Sequence, residues 1–331
     1  MLILKKLRPI FKSNLMTGRL LSTTPIKLQS VESKIEKPKE VRIEVPWGHI
    51  SGIWYGPENT QPILLVHGWQ DCSTVFATLI PLLPPEFSYL AIDLPGHGFS
   101  SHYPKGIYYH GIDFVALLEN IRQKYNWPQL SLLSHSLGAI VSSVYASIYP
   151  QNVRCACALD TLKILSVDPK LVEQIQNWQM KKLIALNDKQ PPPEYSYDEL
   201  PERVYVGSKK SIDFDKTKYL IERGTMRSSS DPNKFYFTRD IRVKFMHTLF
   251  VDQQTGLEYI KRIKAPYLFI RGDDRDFAES EDNINEGVEV FRKHNKQFEM
   301  MKVTGTHHFH LNQPEMIAER VGHFFKTYHG Q

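Results

Sequence analysis

A serine at a sharp turn is the first residue of this chain whose surroundings suggest chemistry. An apolar run from Ser131 is interrupted by Ser134-His135-Ser136-Leu137-Gly138, and small and apolar residues then continue to Pro150. The pattern predicts a strand, a tight turn and a helix, with Ser136 at the tip of the turn. It is a relaxed form of the motif G-x-S-x-G, in which small residues let neighbouring backbone pass close to the serine. Ser136 is therefore a candidate nucleophile, and an ordinary polar strand–helix junction is the alternative.

Two polar loops could supply the partners that a serine nucleophile needs, namely a base and a group that orients the base. Gly272 to Phe277 follows a predicted strand that begins at Pro266, and Gly305 to His310 follows a predicted strand that begins at Phe298. In an open α/β sheet, ligands bind beyond the carboxyl ends of the strands. The chain order of these segments is serine, acidic loop and histidine loop, which fits a Ser-Asp-His triad.

The elements that must position these loops alternate between strand and helix. Continuous apolar runs predict strands buried on both faces at residues 61–66, 87–92, 130–134, 153–159 and 266–270. Helical patterns separate them, at about 73–83, 109–125 and 314–328 among other places. This alternation predicts a parallel sheet with helices on both faces.

The alternation stops between residues 161 and 261. An amphipathic helix at about 167–188 is followed there by three prolines and a polar, tyrosine-rich stretch. We interpret this segment as an inserted, mainly helical cap. The predicted organisation is a targeting segment and linker (1–40), a first core part (41–160), the cap (161–261) and a second core part (262–331).

The first forty residues have the composition of an organelle targeting segment. Before the first acidic residue, Glu32, the charged side chains are all basic: Lys5, Lys6, Arg8, Lys12, Arg19 and Lys27. Arg19-Leu20-Leu21-Ser22 resembles a mitochondrial processing site. We therefore expect mitochondrial import, with a cytoplasmic or peroxisomal location, a disordered basic tail or a peripheral membrane contact as the alternatives. No apolar run approaches the roughly 20 residues that span a bilayer, so we expect no membrane span.

Composition excludes several other classes of function. The net charge of +5 is largely due to the N-terminal segment, so no nucleic-acid surface is indicated. The three cysteines, Cys72, Cys155 and Cys157, give no disulfide framework and are expected to be thiols in a reducing compartment. The sequence contains no metal-ligand cluster and no phosphate-binding loop, so we expect no metal and no cofactor.

Together the motifs resemble the α/β-hydrolase fold family over residues 41–331, and within it the serine hydrolase-like (kraken-type) proteins. The resemblance rests on Leu64 to Trp69, Ala91 to Tyr103, Ser134 to Gly138, and Gly305 to His307 with His310 to Asn312. It implies an α/β-hydrolase fold, with a mostly parallel eight-stranded sheet, helices on both faces and an inserted helical cap.

The resemblance also assigns roles to individual residues. It implies that Ser136 is the nucleophile and His307 the base, and that the backbone N–H groups of Trp69 and Leu137 form an oxyanion hole. His308 and His310 are expected to lie outside the catalytic set.

The acid is less regular than the rest of the motif. The family pattern places it three or four residues beyond the strand-end glycine, Gly272. Since the third position is Arg275, the fourth, Asp276, is the first choice. Asp274 is the second choice, and Asp160, at the end of an earlier strand, is the third.

The reaction implied by the resemblance is cleavage of an ester or thioester by a carboxylic ester hydrolase through an acyl-enzyme intermediate. The expected partner is a small-to-medium apolar ester. A catalytically impaired binding protein with the same fold is the alternative, because Ser134 replaces a glycine and the acidic loop is irregular.

Overall fold

An eight-stranded sheet forms the centre of the computed structural model, which describes residues 38–186, 192–246, 250–274 and 279–330. The strands, in chain order, are β1 (Lys39–Val45), β2 (Gly48–Tyr55), β3 (Ile63–Val66), β4 (Tyr89–Ile92), β5 (Leu130–His135), β6 (Val153–Leu159), β7 (Leu165–Ser166), β8 (Tyr195–Ser196), β9 (Thr225–Arg227), β10 (Lys234–Phe237), β11 (Phe250–Val251), β12 (Tyr267–Gly272) and β13 (Phe298–Val303). The large sheet has the order β1-β2-β4-β3-β5-β6-β12-β13. Its first two pairings are antiparallel, and the others are parallel.

Apolar side chains cover both faces of this sheet. Along β3, Leu64 and Val66 belong to one hydrophobic cluster, and Ile63 and Leu65 belong to the other. This division follows from the period of two along a strand and explains why the central strands are continuously apolar. The helices that cover or flank the sheet are Gly111–Lys124, Leu137–Ile148, Gln253–Arg262, Glu281–His294, Phe309–Asn312 and Glu315–Tyr328. The predicted α/β class is confirmed.

The segment between Ser73 and Leu83 differs from its prediction as one helix. It forms two short 3₁₀ helices, Ser73–Phe76 and Ile80–Leu82. Pro81 lies inside the second of these and has no backbone N–H to donate, so a continuous α-helix cannot run through it.

The inserted segment, predicted at residues 161–261 and predicted to be mainly helical, lies between β6 and β12. It contains the helices Pro169–Ala185, Leu200–Gly207 and Thr217–Gly224, and also a three-stranded antiparallel sheet in the order β8-β10-β9. β7 and β11 form a separate two-stranded parallel pair.

A buried arginine ties the inserted segment to the central sheet. Arg223, on the helix Thr217–Gly224, is 3% exposed and donates to Asp93 Oδ2 at 2.7 Å and to both oxygens of Glu40 at 2.5 and 3.1 Å. Asp93 follows β4 and also accepts from the backbone N–H groups of Ser73 and Phe99. One guanidinium therefore joins the segment, the first strand and the loop after β4.

Three further sequence predictions concern the targeting segment, membrane spans and the cysteines. Residues 1–37, which hold most of the predicted targeting segment, lie outside the described residues. Among the helices that the structure describes, none is long and apolar enough to cross a membrane. The three cysteines are free and buried.

Candidate active site

The turn after β5 places Ser136 in a strained backbone conformation. β5 ends at His135, the next helix begins at Leu137, and Ser136 between them has φ 52° and ψ −114°. Positive φ is uncommon for a residue with a side chain and is concentrated at functional sites. A Cβ at Gly138 would lie 2.1 Å from the carbonyl oxygen of Val66, so this position requires glycine.

Ser134 occupies the position where glycine was expected. Its side chain is buried, and its Oγ lies 2.6 Å from Oγ of Ser142 on the following helix. The hydroxyl is therefore satisfied within the fold, and the turn forms without a glycine at this position.

A chain of hydrogen bonds links Ser136 to a histidine and a carboxylate. Nε2 of His307 lies 2.9 Å from Ser136 Oγ, and its Nδ1 lies 2.6 Å from Asp160 Oδ2. Asp160 is fully buried, and its Oδ1 accepts the backbone N–H of Gly272 at 2.9 Å. The carboxylate is thus fixed by one backbone donor and can orient the imidazole through its other oxygen.

The carboxylate bonded to His307 is the third of the three that the sequence offered. Asp276, the first choice, lies outside the described residues. Asp274 lines the cavity beside Ser136, and its backbone N–H donates to the carbonyl oxygen of Gly305. Asp160 follows β6 and Gly272 ends β12, and these strands are neighbours in the sheet. Loops after either strand can therefore approach the same histidine.

Burial favours the neutral form of the histidine. It lowers the pKa of His307 below the ordinary 6.5, and the hydrogen bond and charge of Asp160 act in the opposite direction. A neutral imidazole with its proton on Nδ1, facing Asp160, has its Nε2 lone pair directed at Ser136. This is the form that can accept a proton from the hydroxyl.

The two residues that are predicted to form the oxyanion hole lie beside the same space. Leu137 is the first residue of the helix after Ser136, Trp69 lies in the loop after β3, and both line the cavity. The buried ring of His67 shapes this loop, because its Nε2 accepts the backbone N–H of Leu94 at 2.9 Å and its Nδ1 lies 2.7 Å from the carbonyl oxygen of Gly68. Burial lowers the pKa of His67 to about 4, so the ring is neutral in this role.

The cavity beside Ser136 has a volume of about 540 Å³. Helices and loops of the inserted segment form much of its wall. Its apolar lining includes Leu137, Ile140, Leu165, Ile212, Leu220 and Met246. Basic side chains also line it, namely Arg203, Lys209, Lys210 and Arg239. The cavity can therefore hold an apolar group of moderate size next to the serine.

A second group of polar side chains, which the sequence did not predict, lies next to the first. Asp71, His135 and His308 are all buried, and their side-chain donor atoms lie within 4.8 Å of one another. His310, which is also buried, stacks near His135 with ring centroids 4.2 Å apart. The available signal was the occurrence of three histidines within residues 307–310, but their partners lie far away in the sequence.

Comparison with known proteins gives consistent matches over most of the chain. A family model described as alpha/beta hydrolase fold matches residues 61–313. A probable serine hydrolase from Drosophila melanogaster is 35% identical over 295 residues, which are 87% of this chain and 88% of that relative. A serine hydrolase-like protein from Danio rerio is 29% identical over 299 residues, with coverage of 87% and 88%. A solved structure of a hypothetical protein from Pseudomonas aeruginosa PAO1 has a TM-score of 0.76 and 25% identity, and covers 88% of this chain and 99% of that chain.

Proposed function

Because the chain belongs to the α/β-hydrolase fold family, we propose that it is a serine hydrolase that cleaves an ester or thioester through an acyl-enzyme intermediate. The observation that carries the proposal is the continuous hydrogen-bonded line from Ser136 through His307 to Asp160. A strained, cavity-facing serine bonded to a neutral, oriented imidazole is an arrangement that nucleophilic catalysis requires.

In the proposed reaction Ser136 Oγ attacks the acyl carbon while Nε2 of His307 takes the hydroxyl proton. Asp160 holds the imidazole in the required tautomer and stabilises the imidazolium that forms. His307 then returns the proton to the leaving alcohol or thiol as the bond to the acyl carbon breaks. In the second half, His307 deprotonates water, which attacks the acyl carbon. The imidazolium then returns this proton to Ser136 Oγ as the bond between the acyl carbon and Oγ breaks and the acid leaves.

The backbone N–H groups of Trp69 and Leu137 are proposed to stabilise the oxyanion. Both residues line the cavity that contains Ser136. Losing one such donor costs about 10²–10³-fold in turnover in a well-studied serine protease. None of these steps requires a cofactor.

The proposed substrate is an ester of small-to-medium apolar character. The apolar wall and the volume of about 540 Å³ support this substrate class, since ligand pockets of this size bury most of a small molecule. The basic side chains in the same wall would also suit a substrate that carries a polar or anionic substituent. Turnover of a panel of esters with and without such a group would test this.

Labelling with a fluorophosphonate probe, together with hydrolysis of short p-nitrophenyl esters, tests the proposal. We expect the wild type to label and turn over, and Ser136→Ala to lose both. Ser143→Ala is the matched control, because this buried serine on the adjacent helix bonds the carbonyl oxygen of Ile140 and does not line the cavity. A wild type that never labels would favour the binding protein instead. Labelling of Ser136→Ala at the wild-type rate would show that Ser136 is not the nucleophile.

We also propose mitochondrial import, on the sequence of the first forty residues. Mass spectrometry of the protein from its native source should find a mature start near Ser22. Recovery of intact Met1 from the cytosol would contradict this proposal.

A further inference from the structure

Asp71, His135 and His308 direct ring nitrogens and carboxylate oxygens at one another in a buried position. His135 Nδ1 lies 3.3 Å from Asp71 Oδ2, and His308 Nε2 lies 3.4 Å from Asp71 Oδ1. The three residues are 7%, 0% and 6% exposed. The protonation states of the two rings decide whether each contact is a hydrogen bond or a contact between two acceptor atoms.

The outer nitrogen of His135 fixes its tautomer. His135 Nε2 lies 3.0 Å from the backbone carbonyl oxygen of His307. Because a carbonyl oxygen only accepts, Nε2 must bear the hydrogen. In the neutral ring, Nδ1 therefore has a lone pair, which faces a carboxylate oxygen of Asp71.

The same argument holds for His308. Its Nδ1 lies 2.8 Å from Ser211 Oγ, and the hydroxyl of Ser211 donates its one hydrogen to the carbonyl oxygen of Ser208 at 2.6 Å. The serine oxygen must then accept from His308, so Nδ1 bears the hydrogen and Nε2 has a lone pair facing Asp71. Both rings thus present acceptors to a carboxylate, which is also an acceptor.

The two separations between Asp71 and the histidines, 3.3 and 3.4 Å, match those of ligands around a small cation, and the ligand atoms of all three residues lie within 4.8 Å of one another. Zinc bonds nitrogen and carboxylate oxygen at about 2.0–2.2 Å, so two ligands of a tetrahedral zinc ion lie roughly 3.3–3.5 Å apart. Within the described part of the chain, Asp71 Oδ2 and His135 Nδ1 have no hydrogen-bond partner. A Cβ placed on Gly68 would lie 2.6 Å from the first atom and 2.8 Å from the second, so the backbone of Gly68 packs directly beside both of them.

We propose that Asp71, His135 and His308 form a binding site for a divalent transition-metal ion of the zinc class, and that an ion bound there inhibits the hydrolase. Two imidazoles and a carboxylate suit such ions. The hydrogen bonds of the outer nitrogens to the His307 carbonyl and to Ser211 are the kind that orient metal-binding histidines. Asp71 and His308 line the cavity, so an ion can reach them from it.

Inhibition, which rests on the proposed function, follows from charge. The rings of His135 and His308 have their centroids 4.6 and 5.2 Å from that of His307. A divalent ion held by these rings opposes formation of the His307 imidazolium, which the reaction requires.

Calorimetric titration of the full chain with ZnCl₂ tests the binding site without reference to activity. We expect one Zn²⁺ per chain, and at least a hundred-fold weaker binding for Asp71→Asn and for His308→Gln, since losing even an outer-shell partner costs about 10–100-fold. The control His323→Gln, on the exposed face of the last helix, should bind as the wild type does. Circular dichroism and thermal unfolding confirm that each variant folds.

Gly68→Ala provides a second test, because its methyl group would lie too close to Asp71 Oδ2 and His135 Nδ1 and would displace these two ligand atoms while all three ligand residues remain. We expect it to lose zinc binding as well. The proposed site would be refuted if the wild type bound no Zn²⁺. It would also be refuted if the Asp71 and His308 variants bound Zn²⁺ as tightly as the wild type.

The inhibition is measured separately, by titrating Zn²⁺ into the ester assay and reversing the effect with EDTA. We expect loss of turnover at the concentration at which the ion binds, and a much weaker effect in His308→Gln. Zinc bound to the wild type without loss of turnover would overturn the inhibitory role alone. If the protein hydrolyses no ester, the proposed function fails, while calorimetry with the wild type and Ser136→Ala still decides the binding site.

Discussion

Replacing Asp160 with asparagine is the sharpest test of the proposed triad. The backbone N–H of Gly272 donates to Asp160 Oδ1, so it needs an acceptor at this position. An asparagine would therefore turn its carbonyl oxygen towards Gly272 and its NH₂ group towards His307 Nδ1. Nδ1 would then have to accept, and the hydrogen of the neutral ring would move to Nε2. An Nε2 that already bears a hydrogen cannot take the proton of Ser136.

The expected loss follows from this forced tautomer. The equivalent change in a serine protease lowers turnover about 10⁴-fold, or roughly 5.5 kcal/mol in transition-state free energy. We expect a loss of this order for Asp160→Asn, with little change in fold because the two side chains have the same shape. The assay is kcat for one p-nitrophenyl ester, with circular dichroism on each variant.

Asp276→Asn and Asp274→Asn are the matched comparisons, because the family spacing favoured these residues. We expect both to stay within a few-fold of the wild type if Asp160 is the acid. Near wild-type turnover by Asp160→Asn, together with a hundred-fold or greater loss in Asp276→Asn, would refute the reasoning and return the role to the loop after β12.

Three further outcomes are expected. The acid limb of the pH profile of kcat/KM should have its midpoint below 6.5, because burial lowers the pKa of His307, and a midpoint above 6.5 would contradict this. Urea unfolding should show that Gly138→Ala costs about 3 kcal/mol or abolishes folding, while Gly207→Ala, whose Cβ would meet nothing within 4 Å, stays within about 1 kcal/mol of the wild type. The folded-state pKa values of His67 and His97 are lowered to about 4 and about 3, so their contribution to stability is present above the unfolded value of 6.5 and is lost as the pH falls. For each of these two histidines, the free energy of unfolding should fall by about 2 kcal/mol between pH 7.5 and pH 5, because the ring takes up a proton in the unfolded state alone. A free energy of unfolding that did not change with pH would count against neutral buried rings.

Local sequence patterns were sufficient to predict the sheet and the serine turn. Strands buried on both faces are continuously apolar, and the tight turn at Ser136 needs a glycine at 138, so each leaves a signal within a few residues. The position of His307 in the loop after the last strand was also predictable. The helix expected from Ser73 was wrong, since apolar spacing does not report that Pro81 interrupts the hydrogen bonds.

The carboxylate partner of His307 could not be predicted in the same way. Two neighbouring strands, β6 and β12, are each followed by acidic residues, and spacing along the chain does not say which side chain points at His307. The cluster of Asp71, His135 and His308 was missed for a related reason. Asp71 lies in the loop after β3, His135 ends β5 and His308 lies in the loop after β13, so these residues are far apart in the sequence and meet only in the folded chain.

The ion pairs of Arg223 limit how substrates can be exchanged. Swinging the inserted segment away from the sheet would separate the guanidinium from Asp93, which is fully buried. Breaking a buried pair of this kind costs about 3–5 kcal/mol, which corresponds to fewer than about 1% of molecules in such an open form. We therefore expect substrate to enter and product to leave through small side-chain movements at the cavity mouth. An ester that fits the cavity but is too wide for the mouth would then bind slowly. In a series of esters of increasing width, the association rate would fall first, while the rate of the chemical step stayed the same.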